Sequence, residues 1–123
     1  MRDDAPIAVT QARDRSLDLV PVVDEQIVRG QPRTGFTPVT TALGVEIGVW
    51  EMTSGAMTDV ETDEVFVVVE GEGTVSVLVD GRPTESFPLA PGVVCRLTAG
   101  TTALWEIPHR LRKVYVTAAP PSP

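Results

Sequence analysis

The sequence predicts one all-β domain, a sandwich or a barrel, and three observations carry that prediction. No window of about 12 residues shows a convincing helical apolar period. Short apolar segments recur at intervals of about 8 to 12 residues, with turn residues between them. Within those segments, β-branched and aromatic side chains alternate with a period of two.

Taken in order, residues 1–24 mix charges, alanine and proline, and read as an N-terminal arm with short strands at 7–9 and 19–23. Another short strand is expected at 26–28, after Asp24 and Glu25. Residues 30–38 hold two prolines and two glycines and read as a loop. A strand follows at 44–53, with Val45, Ile47 and Val49 on one face and Trp50 and Met52 on the other. Ser54 and Gly55 turn the chain, and 56–63 reads as polar and irregular.

The next stretch organises the rest. Glu64 opens the apolar run Val65-Phe66-Val67-Val68-Val69, which the turn Glu70-Gly71-Glu72-Gly73 closes. Val75, Val77 and Val79 then alternate up to a second turn at Asp80-Gly81, so 64–79 reads as a β-hairpin. A strand at 84–87, a turn at 88–92 and a strand at 93–97 follow. Two last strands, 102–107 and 112–118, are joined by Pro108-His109-Arg110, and the proline-rich tail 119–123 cannot pair in a sheet. Val65, Val67 and Val69 oppose Phe66 and Val68, and Val114 and Val116 oppose Tyr115, so these strands are apolar on both faces. The N-terminal segment or a second subunit must cover the outer face, and a homodimer is expected.

Composition narrows the function classes. A chain of 123 residues suits one domain with its own core. A net charge of −7 argues against nucleic-acid binding, which needs a positive surface. No segment approaches the ~18 apolar residues of a membrane span, and the charged start at residues 1–4 lacks the pattern of a signal peptide. The single Cys95 cannot form an internal disulfide, which makes a reducing cytoplasm the expected location.

Two segments then resemble the cupins, small jelly-roll barrels with two sequence motifs. Residues 64–73 resemble the end of the first motif. Pro91-Gly92-Val93-Val94 with Thr98-Ala99-Gly100-Thr101-Thr102 resembles the second, with its usual Pro-Gly-Asp and Pro-x-Gly steps altered. Gly48-Val49-Trp50-Glu51 with Ser54-Gly55, Ala99-Gly100-Thr101, Trp105-Glu106 and residues 112–116 resemble a narrower subgroup. That subgroup is the domain-of-unknown-function cupins related to ethanolamine-utilization protein Q and to (S)-ureidoglycine aminohydrolase. The resemblance implies a double-stranded β-helix over 25–118. It also implies a metal held by two His and one Glu from the first motif and one His from the second. Glu64 matches the Glu. The paired His positions fall at Thr58 and Val60, or at Met57 and Asp59, and the last falls at Ala103. Without imidazoles this is a poor transition-metal site, so no metal or other cofactor is expected and the aminohydrolase activity is not carried over. Asp59, Glu61, Asp63 and Glu64 could instead form an all-oxygen site or simply be solvated.

Strand alternation from an inward Glu64 turns Phe66 and Val68 into the barrel, and from position 103 it turns Trp105 and Ile107 inward. Trp50 and Tyr115 can join them. Trp50, Phe66, Val68, Trp105 and Tyr115 are therefore the candidate ligand-binding residues, against the alternative that they only fill the interior. Glu64 is the candidate catalytic acid or base, against a structural pairing with an arginine such as Arg96 or Arg112. Cys95 reads as core packing, and His109 as a surface loop residue. Glu51 and Glu106, each following a tryptophan, are expected to face outward and to pair with Arg112 and Lys113. Three functions remain open: a metal-independent binder of a small organic ligand; a lyase, isomerase or hydrolase that uses Glu64; and an accessory protein with a protein partner.

Overall fold

A computed structural model describes residues 5–121; residues 1–4 and the end of the proline-rich tail lie outside these. Nine strands and one short 3₁₀ turn make up the described chain. They are β1 (Val20–Pro21), β2 (Ile27–Arg29), β3 (Arg33–Ala42), β4 (Val45–Val60), β5 (Glu64–Gly71), β6 (Gly73–Val79), β7 (Arg82–Leu89), β8 (Val94–Leu97) and β9 (Thr102–Ala118). Every pairing is antiparallel, and the hydrogen-bonded order is β1-β3-β4-β9-β5-β8, with β2 on β4, β6 on β9 and β7 on β6. The architecture is all-β and jelly-roll in kind. No helix among the described residues is long and apolar enough to cross a membrane.

The frame is the pair β4 and β9, in register from Val45 opposite Ala118 to Val60 opposite Thr102. Midway, Pro108 and His109 together face the single Ser54, a bulge that bends both strands. Proline is tolerated there because the bulge removes the need for its missing N–H. Gly55 supplies the tight approach: its φ is +143°, and a Cβ would press on Pro32. The sheet curls so that Met52, Met57, Phe66, Val68, Val75, Trp105, Ile107 and Leu111 close one core.

Several sequence expectations change at this level. The predicted hairpin over 64–79 does not form, since β5 and β6 pair with different halves of β9. The segment runs along β9 and steps across at Gly71, whose φ of +84° brings it against the Arg110 carbonyl. The true hairpin is β6–β7, turned by Asp80 and Gly81 with φ of +52° and +77°, the conformation a two-residue loop between twisted strands demands. Residues 30–38, read as a loop, are largely strand β3, because Thr34 to Pro38 find β4 as a partner. Residues 56–63, read as irregular, mostly continue β4, and the two last predicted strands are one. Residues 7–9 form no strand, and only Val20 and Pro21 pair within 19–23.

The arm is tied down by Arg112. Its Nη1 donates to the carbonyls of Ala12 (2.9 Å), Arg13 (3.3 Å) and Arg15 (2.6 Å), while its Nε donates to Glu51 at 2.9 Å. Arg110 donates to the same Glu51 oxygen at 2.9 Å. Glu51, expected to face outward, does so in register but is buried in this ion network.

Candidate functional site

Three inward rows cross the strands at one end of the barrel. Glu46, Thr117 and Glu64 form the outermost, Gly48, Tyr115 and Phe66 the next, and Trp50, Lys113 and Val68 the third. β4, β9 and β5 contribute one residue each, and the period of two puts all nine on the same face. A cavity of about 270 Å³ opens at this end, lined by Phe36, Glu46, Trp50, Thr62, Glu64, Tyr115 and Thr117. A broader groove of about 440 Å³ adjoins it, sharing Glu64 and Thr117 and running past Arg96.

Beneath the cavity lies a buried ion pair. The Lys113 ammonium donates to Glu64 Oε2 at 2.6 Å, with the lysine side chain only 5% exposed. Its Nζ also sits 4.6 Å from the ring centre of Trp50, 4.2 Å from Phe66 and 4.7 Å from Trp105. Desolvating an ammonium is expensive, and a carboxylate with three ring faces is the environment that offsets it. The structural partner of Glu64 is thus Lys113, not Arg96 or Arg112.

Tyr115 and Glu46 form the second polar pair. The Tyr115 hydroxyl donates to Glu46 Oε2 at 2.8 Å. Burial, followed by the neighbouring carboxylate, raises the phenol far above its ordinary range, so it stays a protonated donor. The pair exists because residue 48 is glycine: a Cβ there would collide with the tyrosine hydroxyl. Deeper in, Trp105 Nε1 donates to Glu61 Oε2 at 3.0 Å. Burial pushes the Glu61 carboxyl up, and the tryptophan hydrogen bond partly opposes it.

Of the sequence candidates, Trp50, Tyr115 and Glu64 line the cavity, whereas Phe66, Val68 and Trp105 are buried beneath it. Lys113, expected on the outer face with Glu51 or Glu106, instead turns inward to Glu64 because it shares the parity of Tyr115, and Glu106 meets Arg29 at 3.8 Å. Sequence reasoning missed Glu46, which shares the parity of Trp50. Cys95 is half-buried, its thiol pushed up by burial. His109 is exposed at the bulge, beside a separate groove with Glu70 and Arg110.

A His-ligated metal does not fit this donor set. Register turns Met57 and Asp59, not Thr58 and Val60, to the face of Trp105 and Ala103. The chemistry offered there is thus a thioether, a carboxylate and a methyl group. The acidic residues are separately engaged: Asp59 accepts from Gln26, Glu61 from Trp105, Asp63 from the Ala99 amide and Glu64 from Lys113. Among the described residues no three His, Cys, Asp or Glu gather to hold a metal ion.

A profile of the EutQ-like cupin domain matches residues 41–115, which contain β4, most of β9 and most of this site. The chain belongs to the EutQ-like cupin family. Solved structures agree in fold. The EutQ protein of Clostridium difficile is 20% identical, with a TM-score of 0.58 over 71% of this chain and 68% of that one. A putative ethanolamine utilization protein Q from Salmonella typhimurium is 18% identical, with a TM-score of 0.58 over 84% and 95% of the two chains. A Pseudomonas syringae protein of unknown function from the DUF861 family is 21% identical, with a TM-score of 0.68 over 85% of this cupin. That match spans 45% of the Pseudomonas chain, less than half its length. No curated protein matches this cupin. At these identities the likeness is one of fold.

Proposed function

We propose that this EutQ-like cupin binds a small polar organic molecule at the end of the barrel, without a His-ligated metal. The observation that carries the reading is the cavity over Glu64, which joins aromatic walls (Phe36, Trp50, Tyr115) to convergent polar groups (Glu46, Glu64, Thr62, Thr117). Mostly apolar walls with a few placed polar groups characterise small-molecule sites, and about 270 Å³ suits a compact ligand. Trp50 reports on the site, so titrating small metabolites against tryptophan fluorescence tests it, with metal content measured alongside on protein purified without a metal-affinity tag. Saturable quenching by a compound, lost when Trp50 is replaced by Leu, is the expected result. Near-stoichiometric Mn, Fe, Zn or Ni that disappears in Glu64→Ala would overturn the metal-free half of the proposal.

Catalysis by Glu64 is a second reading, favoured by its place between the cavity and Lys113. A carboxylate on the cavity wall is within reach of a proton on a bound ligand, and the Lys113 ammonium behind it fixes its position. Loss of turnover in Glu64→Gln with the fold intact supports it; unchanged turnover removes it. We also propose a homodimer through the outer face. There Ile47, Val116 and Val65 form one apolar row across β4, β9 and β5, and Val114, Val67 and Val94 form another that extends onto β8, its β4 member Val49 being already buried within the chain. Val65 and Val94 are 43% and 69% exposed in the single chain.

A further inference from the structure

The charges around the cavity do not balance. Glu64 is neutralised by Lys113, which lies behind it and is itself buried. Glu46 has no such partner among the described residues: it accepts from the neutral Tyr115 hydroxyl, and none of their lysines or arginines pairs with it. It is only partly exposed, in a cavity whose remaining walls are Phe36, Trp50, Tyr115 and two threonines. A carboxylate held in that setting is incompletely hydrated and meets no counter-charge from the described residues. An anionic occupant would meet Glu46 without a compensating cation, and a neutral one would desolvate it further.

We propose that the ligand is a small organic cation, an amine or quaternary ammonium compound, with its charge between Glu46 and the aromatic walls. This rests on the cavity reading above and adds the chemical class of its occupant. The same barrel already accommodates one ammonium in this chemistry, since Lys113 lies on the faces of Trp50, Phe66 and Trp105 beside Glu64. Ring faces attract cations more strongly where water is excluded, and a carboxylate on the opposite side adds to that attraction. Tyr115 holds the Glu46 carboxylate in place, and its high proton affinity keeps it a donor at neutral pH. Selectivity therefore comes from charge, and the cavity sets the size.

The test uses choline and its uncharged isostere 3,3-dimethylbutan-1-ol, with butylamine as a second cation and 3,3-dimethylbutyrate as the anion. Each is titrated against tryptophan fluorescence of the full chain in phosphate buffer. The expected result is that at least one cation binds about tenfold or more tighter than the neutral isostere, and that the anion is weakest. Glu46→Gln keeps an acceptor for Tyr115 and should abolish most of that preference without lowering the melting temperature. Equal binding of cation and isostere, or tighter binding of the anion, overturns the cation assignment while the cavity reading stands. Saturable binding by none of the probes overturns both. A preference that survives in Glu46→Gln overturns the role of Glu46.

Discussion

Lys113 and Glu61 show, at the scale of single residues, how the barrel interior handles charge. Removing one partner from a buried ion pair leaves the other desolvated and uncompensated, so Lys113→Met should destabilise the fold by about 3 kcal/mol or more. The double variant Lys113→Met with Glu64→Gln should recover most of that loss, because an amide needs no counter-charge. Denaturant unfolding of the four proteins measures the coupling, and additive effects would show that the pair does not hold the site together. Glu61 carries a pH signature. Its folded carboxyl titrates above the ordinary Glu value of 4.5, because burial favours the neutral form. Stability from this group is therefore present below that value and lost as pH rises through the folded one. Glu61→Gln, which keeps an acceptor for the Trp105 N–H, should melt higher than the parent at neutral pH, with the gap closing toward acid. A gap that stays constant across that range would mean burial does not control the group.

Individual elements place the site through two glycines. Gly48 lets the Tyr115 ring cross β4 and reach Glu46; Gly48→Ala would push the hydroxyl aside. Such a variant should fold yet bind cavity ligands about tenfold more weakly, and tight binding in it would remove Tyr115 from the site. Gly71 is the other. A side chain there would collide with the Arg110 carbonyl at a positive φ, so Gly71→Ala should lose more than about 1 kcal/mol and loosen the step from β5 to β6. Neither role is visible in sequence. Glu70-Gly71-Glu72-Gly73 looks like a hairpin turn because local chemistry reports only that the chain can change direction. Which half of β9 each flanking segment joins is a long-range choice. By the same logic 30–38 hid a strand: its prolines and glycines are poor strand formers, and the pairing with β4 overrides that preference.

For the molecule as a whole, the outer sheet presents exposed apolar surface on the single chain, Val65 and Val94 among it. Apolar rows that continue across β4, β9, β5 and β8 suit an isologous contact, in which the same patch serves both copies. Val94→Lys places a charge where the single chain is already exposed, so it should leave the monomer fold intact and shift sedimentation from dimer to monomer. A parent chain that sediments as a monomer at every concentration removes the dimer. The N-terminal arm is fastened separately. Arg112 reaches three of its carbonyls and Glu51 together, a fan of donors that lysine cannot reproduce.

By itself the sequence determined the all-β class, the jelly-roll family, the inward parity of Phe66, Val68 and Trp105, and the lack of histidines for the usual metal, because these follow from residue type and a period of two. Tertiary structure alone decided that β5 and β6 share β9 without pairing, that Lys113 answers Glu64, and that no lysine or arginine among the described residues answers Glu46. Alternation tells which face a side chain takes. It does not tell which strand lies alongside, and charge balance in a barrel is set between neighbouring strands that are far apart in the chain.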